Sequence, residues 1–414
     1  MKKKVRLIIF LLAGSLLLVS CSGKKSDNQT LSKKEEVEVE KEESVDTSEN
    51  SRGIISAMDF ENGIAVVEEE NPINGDTQKV AIDVEGNELF VLPETESIIS
   101  PNVDLNGEYL WWEGAAFKRN GETIYDAIDK YRYSDLGNGY VLVKEILSGY
   151  EQKTEKMGVI DGYGNEIIPL SEELSELCKG EMLNIGGDRD YCGEGIGYDK
   201  QTKMLIDANQ GVYYKLDGDI KEYRDGNVLV YGGVLYRNQG TSKVRIDRKS
   251  ELTLSEDKVV AIEGSDSDGY KIKTYDLDGN IVNETQLNNI VLENKELKYD
   301  NGSSALYIRG KDGYYVTMID EYGNFKFEPI KHENHVTDNT NFEWSEVSEG
   351  LLRVAEDETT TIFVNEKGEE VIEIPYNIEC VGNCKNGRIA VNTTEKGFYI
   401  NADTGEYIEK INEK

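Results

Sequence analysis

The stretch VIDGYGNE at residues 159–166 is repeated almost unchanged as MIDEYGNF at residues 318–325. Each copy places an aspartate three positions before a glycine, and apolar residues precede the aspartate. Aspartate at the first corner of a type I turn accepts a hydrogen bond from the backbone two residues on, and glycine takes the left-handed conformation that closes the loop. The pattern therefore predicts a β-hairpin, and its recurrence predicts a repeat protein.

Further copies of the hairpin pattern occur along most of the chain. The strong copies have their glycines at Gly86, Gly164, Gly279, Gly323 and Gly368, and weaker copies are at Gly121, Gly218, Gly240 and Gly405. A second pattern, a polar residue and a glycine before an apolar strand, precedes several hairpins, as in ENGIAVV at residues 61–67. Most successive hairpin glycines are 35 to 45 residues apart. One interval is 54 residues long and contains an insertion, and another of 22 residues suggests that Gly218 and Gly240 share a unit.

A period near 40 residues with several short strands per unit is typical of β-propellers and other stacked β-repeats. We therefore expect an all-β fold over residues 54–414, a seven- or eight-bladed β-propeller, with an open β-hairpin repeat array as the alternative. A closed ring would bring the strand near residues 64–67 beside strands of the last repeat, because an open array leaves two long exposed edges. The insertion at residues 171–183 has apolar residues near helical spacing and is expected to hold a short helix.

The first 53 residues differ in composition from the rest. Residues 1–20 join a basic start to an apolar stretch of 13 residues, which suits a signal peptide and is too short to span a membrane. The sequence LVSC that ends at Cys21 resembles the lipobox of bacterial lipoproteins, in which the cysteine carries the lipid; a plain signal peptide is the alternative. Residues 21–53 are polar and acidic, so we expect a lipidated cysteine followed by a disordered tether.

The repeats resemble the WG (also called KWG) repeat proteins of bacteria. The unit of that family joins F-x-x-G-L-A-x-V to K-W-G-Y-I-D-x-x-G and a final V-I-x-P. Residues 60–67 match the first half, residues 156–169 match the second, and residues 396–401 are a shorter copy, all without the tryptophan. The resemblance implies an exported, lipid-anchored β-repeat scaffold without catalysis.

Charge and histidine content argue against several classes of function. The chain has 80 Asp and Glu against 46 Lys and Arg, a net charge of −34 that repels nucleic acids and anionic lipid surfaces. Only His332 and His335 could serve as the base of a catalytic triad, and their spacing is not that of a metalloprotease, so we place them in a solvated loop. We expect no cofactor and no metal site, and interpret the stretches GSDSDGY and DLDGN as turns rather than Ca²⁺ loops.

Four cysteines besides Cys21 make an even number, which fits disulfides in an exported protein. Three pairings exist, and proximity favours Cys178 with Cys192 and Cys380 with Cys384. The alternatives are free thiols or a zinc site, whose ligand spacing these cysteines fit poorly.

The candidate ligand-binding residues are four aromatic side chains, Tyr109, Trp111, Trp112 and Trp344. On a strand, Trp111 and Trp112 point to opposite faces, so one of them is a candidate for an exposed ring that stacks on a sugar or anchors a partner. Packing between blades is the alternative and is favoured, because large aromatic side chains are mostly buried.

Together these patterns favour a monomeric protein, lipid-anchored on the outer face of the bacterial cytoplasmic membrane, that binds a protein or carbohydrate ligand without catalysis. The alternatives are a glycoside hydrolase with paired carboxylates and a structural or assembly component of the cell envelope. A hydrolase would show two carboxyl groups about 5 to 9.5 Å apart in a cleft, one of them with a raised pKa.

Overall fold

The computed structural model describes residues 51–94, 101–146, 155–178, 194–248, 250–293, 295, 297–332, 345–355, 360–374 and 378–412. Residues 1–50, which include Cys21 and the predicted signal peptide, lie outside this part of the chain, and so do Cys192, His335 and Trp344. The described residues form nine antiparallel sheets, each built from one continuous stretch of chain except the first. The fold is a nine-bladed β-propeller. The all-β prediction is confirmed, and the predicted number of seven or eight blades is wrong.

The first three blades come from residues 51–171. Blade 1 contains β1 (Ser51–Ala57), β2 (Ile64–Glu70), β3 (Thr77–Asp83) and β4 (Glu88–Val91), together with the last strand of the chain, β36 (Lys410–Asn412). Blade 2 contains β5 (Asn102–Val103), β6 (Tyr109–Trp112), β7 (Ala115–Lys118) and β8 (Thr123–Asp126). Blade 3 contains β9 (Tyr131–Gly137), β10 (Tyr140–Glu145), β11 (Met157–Ile160) and β12 (Glu166–Ser171).

Blades 4 to 6 follow a short helix, α1 (Glu172–Leu177), which agrees with the helix expected in the insertion. Blade 4 contains β13 (Ile196–Asp199), β14 (Met204–Asp207) and β15 (Val212–Lys215). Blade 5 contains β16 (Ile220–Arg224), β17 (Asn227–Val230), β18 (Val234–Arg237) and β19 (Ser242–Arg245). Blade 6 contains β20 (Glu251–Leu254), β21 (Lys258–Ser265), β22 (Gly269–Asp276) and β23 (Ile281–Leu287).

The last three blades repeat the same four-stranded order. Blade 7 contains β24 (Tyr299–Asp300), β25 (Ser303–Gly310), β26 (Gly313–Asp320) and β27 (Ile330–His332). Blade 8 contains β28 (Val347–Ser348), β29 (Leu351–Ala355), β30 (Thr361–Val364) and β31 (Glu370–Ile374). Blade 9 contains β32 (Ile378–Lys385), β33 (Arg388–Thr393), β34 (Gly397–Asn401) and β35 (Tyr407–Ile408). In the part of the chain that the structure describes, no helix is both long and apolar enough to cross a membrane.

The repeated aspartate and glycine lie in the turn between the third and fourth strands of a blade. In blade 3, Oδ1 of Asp161 accepts hydrogen bonds from the backbone N–H groups of Tyr163 and Asn165, each at 2.9 Å, and Gly164 has φ +78°. The equivalent turn of blade 7, residues 320–324, has the same two hydrogen bonds at 2.9 and 2.8 Å, and its glycine has φ +80°. The prediction that the two sequence copies form equivalent hairpins with positive φ at glycine is confirmed.

The predicted number of blades is too low because the short step from Gly218 to Gly240 suggested that these two glycines share one unit. The turn between β14 and β15 ends at Gly211, which has φ +65°, whereas Gly218 lies in the segment that connects β15 to β16. Gly240 closes a separate hairpin between β18 and β19 of blade 5. Gly218 and Gly240 therefore do not form one unit. The strands of blade 5 have only four or five residues, which fits the step of 29 residues from Gly211 to Gly240.

The apolar core of the described residues consists of nine clusters, each lying between two consecutive blades. Strand β2 shows how one strand serves two clusters. Its residues Ile64 and Val66 pack against blade 2, and the alternate residues Ala65 and Val67 pack against blade 9. Because both faces of the strand are covered, its sequence IAVV is a continuous apolar run instead of an alternating one.

Blade 9 packs against blade 1 and closes the ring. Strand β36 pairs antiparallel with β1, so that both ends of the folded chain lie in one sheet. The side chain of Asn392 in β33 accepts a hydrogen bond from the backbone N–H of Ala57 at 2.8 Å and donates one to its carbonyl at 2.9 Å. The Tyr399 hydroxyl donates to the carbonyl of Met58 at 2.6 Å. The arrangement is the closed ring that the sequence favoured, and the open array is excluded.

Candidate functional site

The first strands of the blades lie nearest to the axis of the ring. Strand β5 contacts β9, β16 contacts β20, β24 contacts β28 and β28 contacts β32. Blades diverge as they extend away from a common axis, so strands that touch across blades must be the inner ones. The turns that follow these inner strands therefore surround one end of the axis. Blade 4 has three described strands, and its equivalent turn, residues 194–195, precedes β13. We call this turn and the others together the turn ring: residues 58–63, 104–108, 138–139, 194–195, 225–226, 255–257, 301–302, 349–350 and 386–387.

Most turns of the turn ring share one backbone conformation. Both residues of the turn have positive φ, which defines the tight type I′ connection of a β-hairpin and favours Asn, Asp and Gly. The pairs with this conformation are Asn62-Gly63, Asn138-Gly139, Glu194-Gly195, Asp225-Gly226, Asn301-Gly302, Glu349-Gly350 and Asn386-Gly387. This explains the second sequence pattern, in which a polar residue and a glycine precede an apolar strand.

Side chains of the turn ring link several pairs of neighbouring blades. The carboxylate of Glu349 in blade 8 accepts hydrogen bonds from the backbone N–H groups of Asn386, at 2.6 Å, and Gly387, at 2.8 Å, in blade 9. Asn386 in turn accepts a hydrogen bond from the backbone N–H of Gly63 in blade 1 at 3.0 Å. The same arrangement joins blade 6 to blade 7, where Glu256 accepts from the backbone N–H of Gly302 at 2.9 Å.

Six of the nine turns of the turn ring carry carboxylates. The turn ring contains nine carboxylates and no Lys, Arg or His: Asp59, Glu61, Asp104, Glu108, Glu194, Asp225, Glu256, Asp257 and Glu349. Basic side chains adjoin it from elsewhere: Lys385 lies at the end of β32, and Arg119, in the turn after β7, donates a hydrogen bond to the carbonyl of Gly107 at 3.1 Å. One end of the axis is therefore surrounded by carboxylates, several of which also hold the blades together.

Several carboxyl groups in and near the turn ring have raised pKa values, among them Asp59, Glu61 and Asp135. Burial raises the pKa of Glu61 from its usual 4.5 to about 7, although the attraction of Lys385 opposes the change. Burial also raises the pKa of Asp135 on β9, which accepts a hydrogen bond from the side chain of Asn102 at 3.3 Å. Asn102 belongs to blade 2 and Asp135 to blade 3, so this hydrogen bond links two blades.

The predicted ligand-binding aromatics of β6 are buried. Tyr109, Trp111 and Trp112 are 5%, 3% and 2% exposed. The Tyr109 hydroxyl and the Trp111 indole N–H both donate to the carbonyl of Gly139 in blade 3, at 3.1 and 2.9 Å, and the Trp112 N–H donates to the carbonyl of Pro93 at 3.2 Å. These residues pack blades together, as the alternative interpretation held, and no ring is free to stack on a ligand. Trp344 lies outside the described residues.

The structure does not support the predicted disulfide between Cys380 and Cys384. Both residues lie on the single strand β32, with four residue steps between them, and an extended strand places such Cα atoms farther apart than the about 7 Å that a disulfide spans. Cys384 is a buried free thiol whose Sγ donates to a Glu349 carboxylate oxygen at 3.3 Å. Cys178 is also a buried free thiol, and its predicted partner Cys192 lies outside the described residues.

Burial raises the pKa of both buried thiols, that of Cys178 to about 11 and that of Cys384 to about 12, so both stay protonated at neutral pH.

The prediction of a solvated loop is wrong for His332. It lies on β27 and is 5% exposed, and its Nδ1 accepts a hydrogen bond from the backbone N–H of Ala355 at 3.2 Å. No group of three or more His, Cys, Asp or Glu side chains among the described residues could hold a metal ion.

Sequence reasoning missed the residues that link the blades. Four side chains accept hydrogen bonds from the backbone of a neighbouring blade: Asn102, Glu349, Asn386 and Asn392. The available signal was the polar residue before glycine in ENG, SEG and KNG. From sequence alone that pattern indicates only the start of a strand, because the contact across blades depends on the neighbouring repeat.

No protein-family model and no curated protein matches the chain. Solved structures that resemble it include a eukaryotic initiation factor, with 9% identity and a TM-score of 0.35 over 88% of this chain and 97% of the other. The β-propeller domain of the Trilobed protease from Pyrococcus furiosus has 10% identity and a TM-score of 0.32 over 87% and 98% of the two chains. Dipeptidyl peptidase 4 of Porphyromonas gingivalis has 12% identity and a TM-score of 0.39 over 87% and 59%. These similarities concern the overall fold, and the count of nine blades comes from the sheets of this chain.

Proposed function

We propose that the chain is an extracytoplasmic, lipid-anchored β-propeller that binds a protein or carbohydrate ligand without catalysis, and that the turn ring is its binding surface. The anchor rests on the resemblance of LVSC at residues 18–21 to a lipobox, and the tether rests on the polar composition that follows it. A lipidated protein on a long tether is free to present one end of its ring to a partner.

The observation that carries the proposal is the turn ring itself. It places nine carboxylates, without a basic residue, on tight turns fixed to a closed scaffold. Binding groups are commonly found on loops that a rigid scaffold positions. Charge of one sign concentrated at one end speeds the approach of partners of opposite charge and selects among them. A ligand with basic or hydrogen-bond-donating groups is the kind that such an end fits.

The experiment compares two triple variants of the full-length protein in its native membrane. The first, Glu108→Gln, Glu194→Gln and Asp225→Asn, removes three carboxylates of the turn ring that are absent from the contacts between blades described above. The second, Glu94→Gln, Glu395→Gln and Asp129→Asn, removes three at the opposite end of the ring and serves as the matched control. Partners are identified by cross-linking and mass spectrometry, and sugars by binding to an array of cell-wall glycans.

We expect the cross-linking or glycan-binding signal of the turn-ring variant to fall at least tenfold, and that of the control variant to stay unchanged. Equal losses in both variants would show that only net charge matters, and no loss in either would exclude the turn ring. Cys21→Ser in the same experiment tests the anchor separately. It should abolish fatty-acid labelling and membrane retention, and persistence of both would remove the lipid-anchored part of the proposal alone.

A further inference from the structure

A cavity lies beside blade 6 at the end of the ring opposite the turn ring. Strand β20 starts at Glu251 and runs toward the turn at residues 255–257, and β21 leaves that turn and ends at Ser265. The connection before β20 and the last residues of β21 therefore lie at the opposite end. They border a cavity of about 440 Å³. This volume is within the range of about 300 to 1,000 Å³ that small-ligand sites occupy.

The lining of this cavity is mostly polar. Three carboxylates, a hydroxyl, an ammonium group and one aliphatic side chain contribute to it: Asp247, Glu251, Glu263, Ser250, Lys295 and Ile262. They come from the connection between blades 5 and 6 with the start of β20, from the end of β21, and from the connection between blades 6 and 7. Ligand pockets are usually lined by apolar side chains, so a polar lining indicates a polar ligand.

Ion pairs hold two of the carboxylates in place and leave each with a second oxygen for a ligand. Oε2 of Glu251 lies 3.2 Å from Nζ of Lys221. Oε1 of Glu263 lies 2.7 Å from Nζ of Lys273 and accepts a hydrogen bond from the Ser250 hydroxyl at 2.9 Å. Among the described residues, no group donates a hydrogen bond to Glu251 Oε1 or Glu263 Oε2. Both oxygens can therefore accept from a ligand, because an ionised carboxylate accepts at either oxygen.

The charges of the described side chains around the cavity balance. Its three carboxylates are matched by three lysines, Lys221 and Lys273 in the ion pairs and Lys295 in the lining itself. The Lys295 ammonium lies over the Tyr270 ring, 5.0 Å from the ring centroid, and its three N–H groups make it a donor to a ligand as well. A neutral ligand fits this balance, whereas a charged one would have to compete with the ion pairs.

We propose that this cavity binds a neutral mono- or disaccharide, as a second site separate from the turn ring. Sugar hydroxyls donate to the second oxygens of Glu251 and Glu263 and accept from the Lys295 ammonium. The Ile262 side chain provides an apolar contact for the C–H groups of the sugar ring. A saccharide offers donors and acceptors on one ring, which is the combination that carboxylates and an ammonium group together recognise. A diamine would compete with the lysines for the carboxylates, and an anion would be repelled by them.

The test is isothermal titration calorimetry on the full-length protein. The neutral probes are glucose, N-acetylglucosamine, maltose and cellobiose, and the charged probes are putrescine and succinate. Glu251→Ala and Glu263→Ala each remove a carboxylate of the cavity. Glu284→Ala is the matched control, because Glu284 also pairs with a lysine of blade 6, Lys271 at 3.1 Å, and is absent from the lining. Lys295→Met removes the donor at an exposed position and leaves the carboxylates unchanged.

We expect at least one saccharide to bind the wild type, and its affinity to fall at least tenfold in Glu251→Ala, Glu263→Ala and Lys295→Met. Glu284→Ala and the turn-ring triple variant should bind it as the wild type does, and melting temperatures check that each variant folds. The proposal would be overturned if no saccharide bound the wild type, if only putrescine or succinate bound, or if the cavity variants bound like Glu284→Ala. Saccharide binding lost in the turn-ring variant but kept in the cavity variants would assign the sugar to the turn ring instead.

Discussion

At the scale of the residue, the repeated glycine serves two purposes. Its positive φ closes the turn between the third and fourth strands, as the sequence indicated. It also lies against the preceding blade. A Cβ atom at Gly164 would come within 2.2 Å of the Tyr125 ring in blade 2, one at Gly121 within 2.8 Å of Phe90 in blade 1, and one at Gly368 within 2.7 Å of Phe327 in blade 7. The glycine therefore recurs because the blades pack closely as well as because the turn is tight.

The two effects can be separated by mutation. Gly164→Ala should suffer both the strain of positive φ, about 1 kcal/mol, and overpacking against Tyr125, about 1 to 3 kcal/mol. Gly405→Ala is the matched control, since Gly405 has φ +72° in the same turn of blade 9 but nothing within 4 Å of its added Cβ. Urea denaturation should show a larger loss for Gly164→Ala than for Gly405→Ala. Equal losses of stability in the two variants would show that the strain of positive φ, and not overpacking against Tyr125, accounts for the effect.

At the scale of the element, the hairpin depends on the side chain that begins its turn. In blade 3, Asp161 accepts two backbone hydrogen bonds and a third from the Asn165 side chain at 2.9 Å. In blade 8, Asn365 occupies the same position and accepts the two backbone hydrogen bonds at 2.9 and 3.0 Å. The oxygen that both side chains share is thus sufficient for the turn, and the negative charge is not required.

Asp161→Ala should therefore destabilise the protein by about 1 to 2 kcal/mol, because two backbone N–H groups lose their acceptor in a tight turn. Asp161→Asn should keep most of that stability, as Asn365 does in its own blade. Denaturation midpoints of the two variants provide the measurement. If Asp161→Asn lost as much stability as Asp161→Ala, the contribution of the aspartate would come from its charge and not from its hydrogen bonds to the turn backbone.

The sequence predicted the elements better than their number or their contacts. Local turn chemistry identified the hairpins correctly at Gly164 and Gly323, because it depends on four or five neighbouring residues. Blade 4 was misjudged because its turn, Asp207 to Gly211, lacks the usual Gly-Asn ending, while Gly218 in a connecting segment imitates the pattern. The role of Glu349 depends on the backbone of Asn386 and Gly387 in blade 9, whose position no local pattern describes.

At the scale of the whole molecule, the ring depends on the two ends of the folded chain meeting. Strand β1 pairs with β36 as well as with β2, so the N-terminal strand is held by the last residues of the chain. Ile411 of β36 is fully buried in the cluster that joins blades 9 and 1. Among the described residues, each of the other apolar clusters connects blades that are neighbours along the chain, and only this contact between blades joins residues more than 300 positions apart.

Deleting residues 409–414 should therefore open the ring between blades 9 and 1. The loss of Ile411 from its cluster accounts for about 2 to 5 kcal/mol on its own, and the loss of pairing to β1 adds to it. We expect a lower denaturation midpoint and, by small-angle X-ray scattering, a larger radius of gyration. Deleting residues 413–414 alone leaves β36 intact and is the control, and Ile411→Ala provides a milder change if the longer deletion does not fold. A truncated protein with the midpoint and radius of the control would show that the contacts of Asn392 and Tyr399 close the ring without β36.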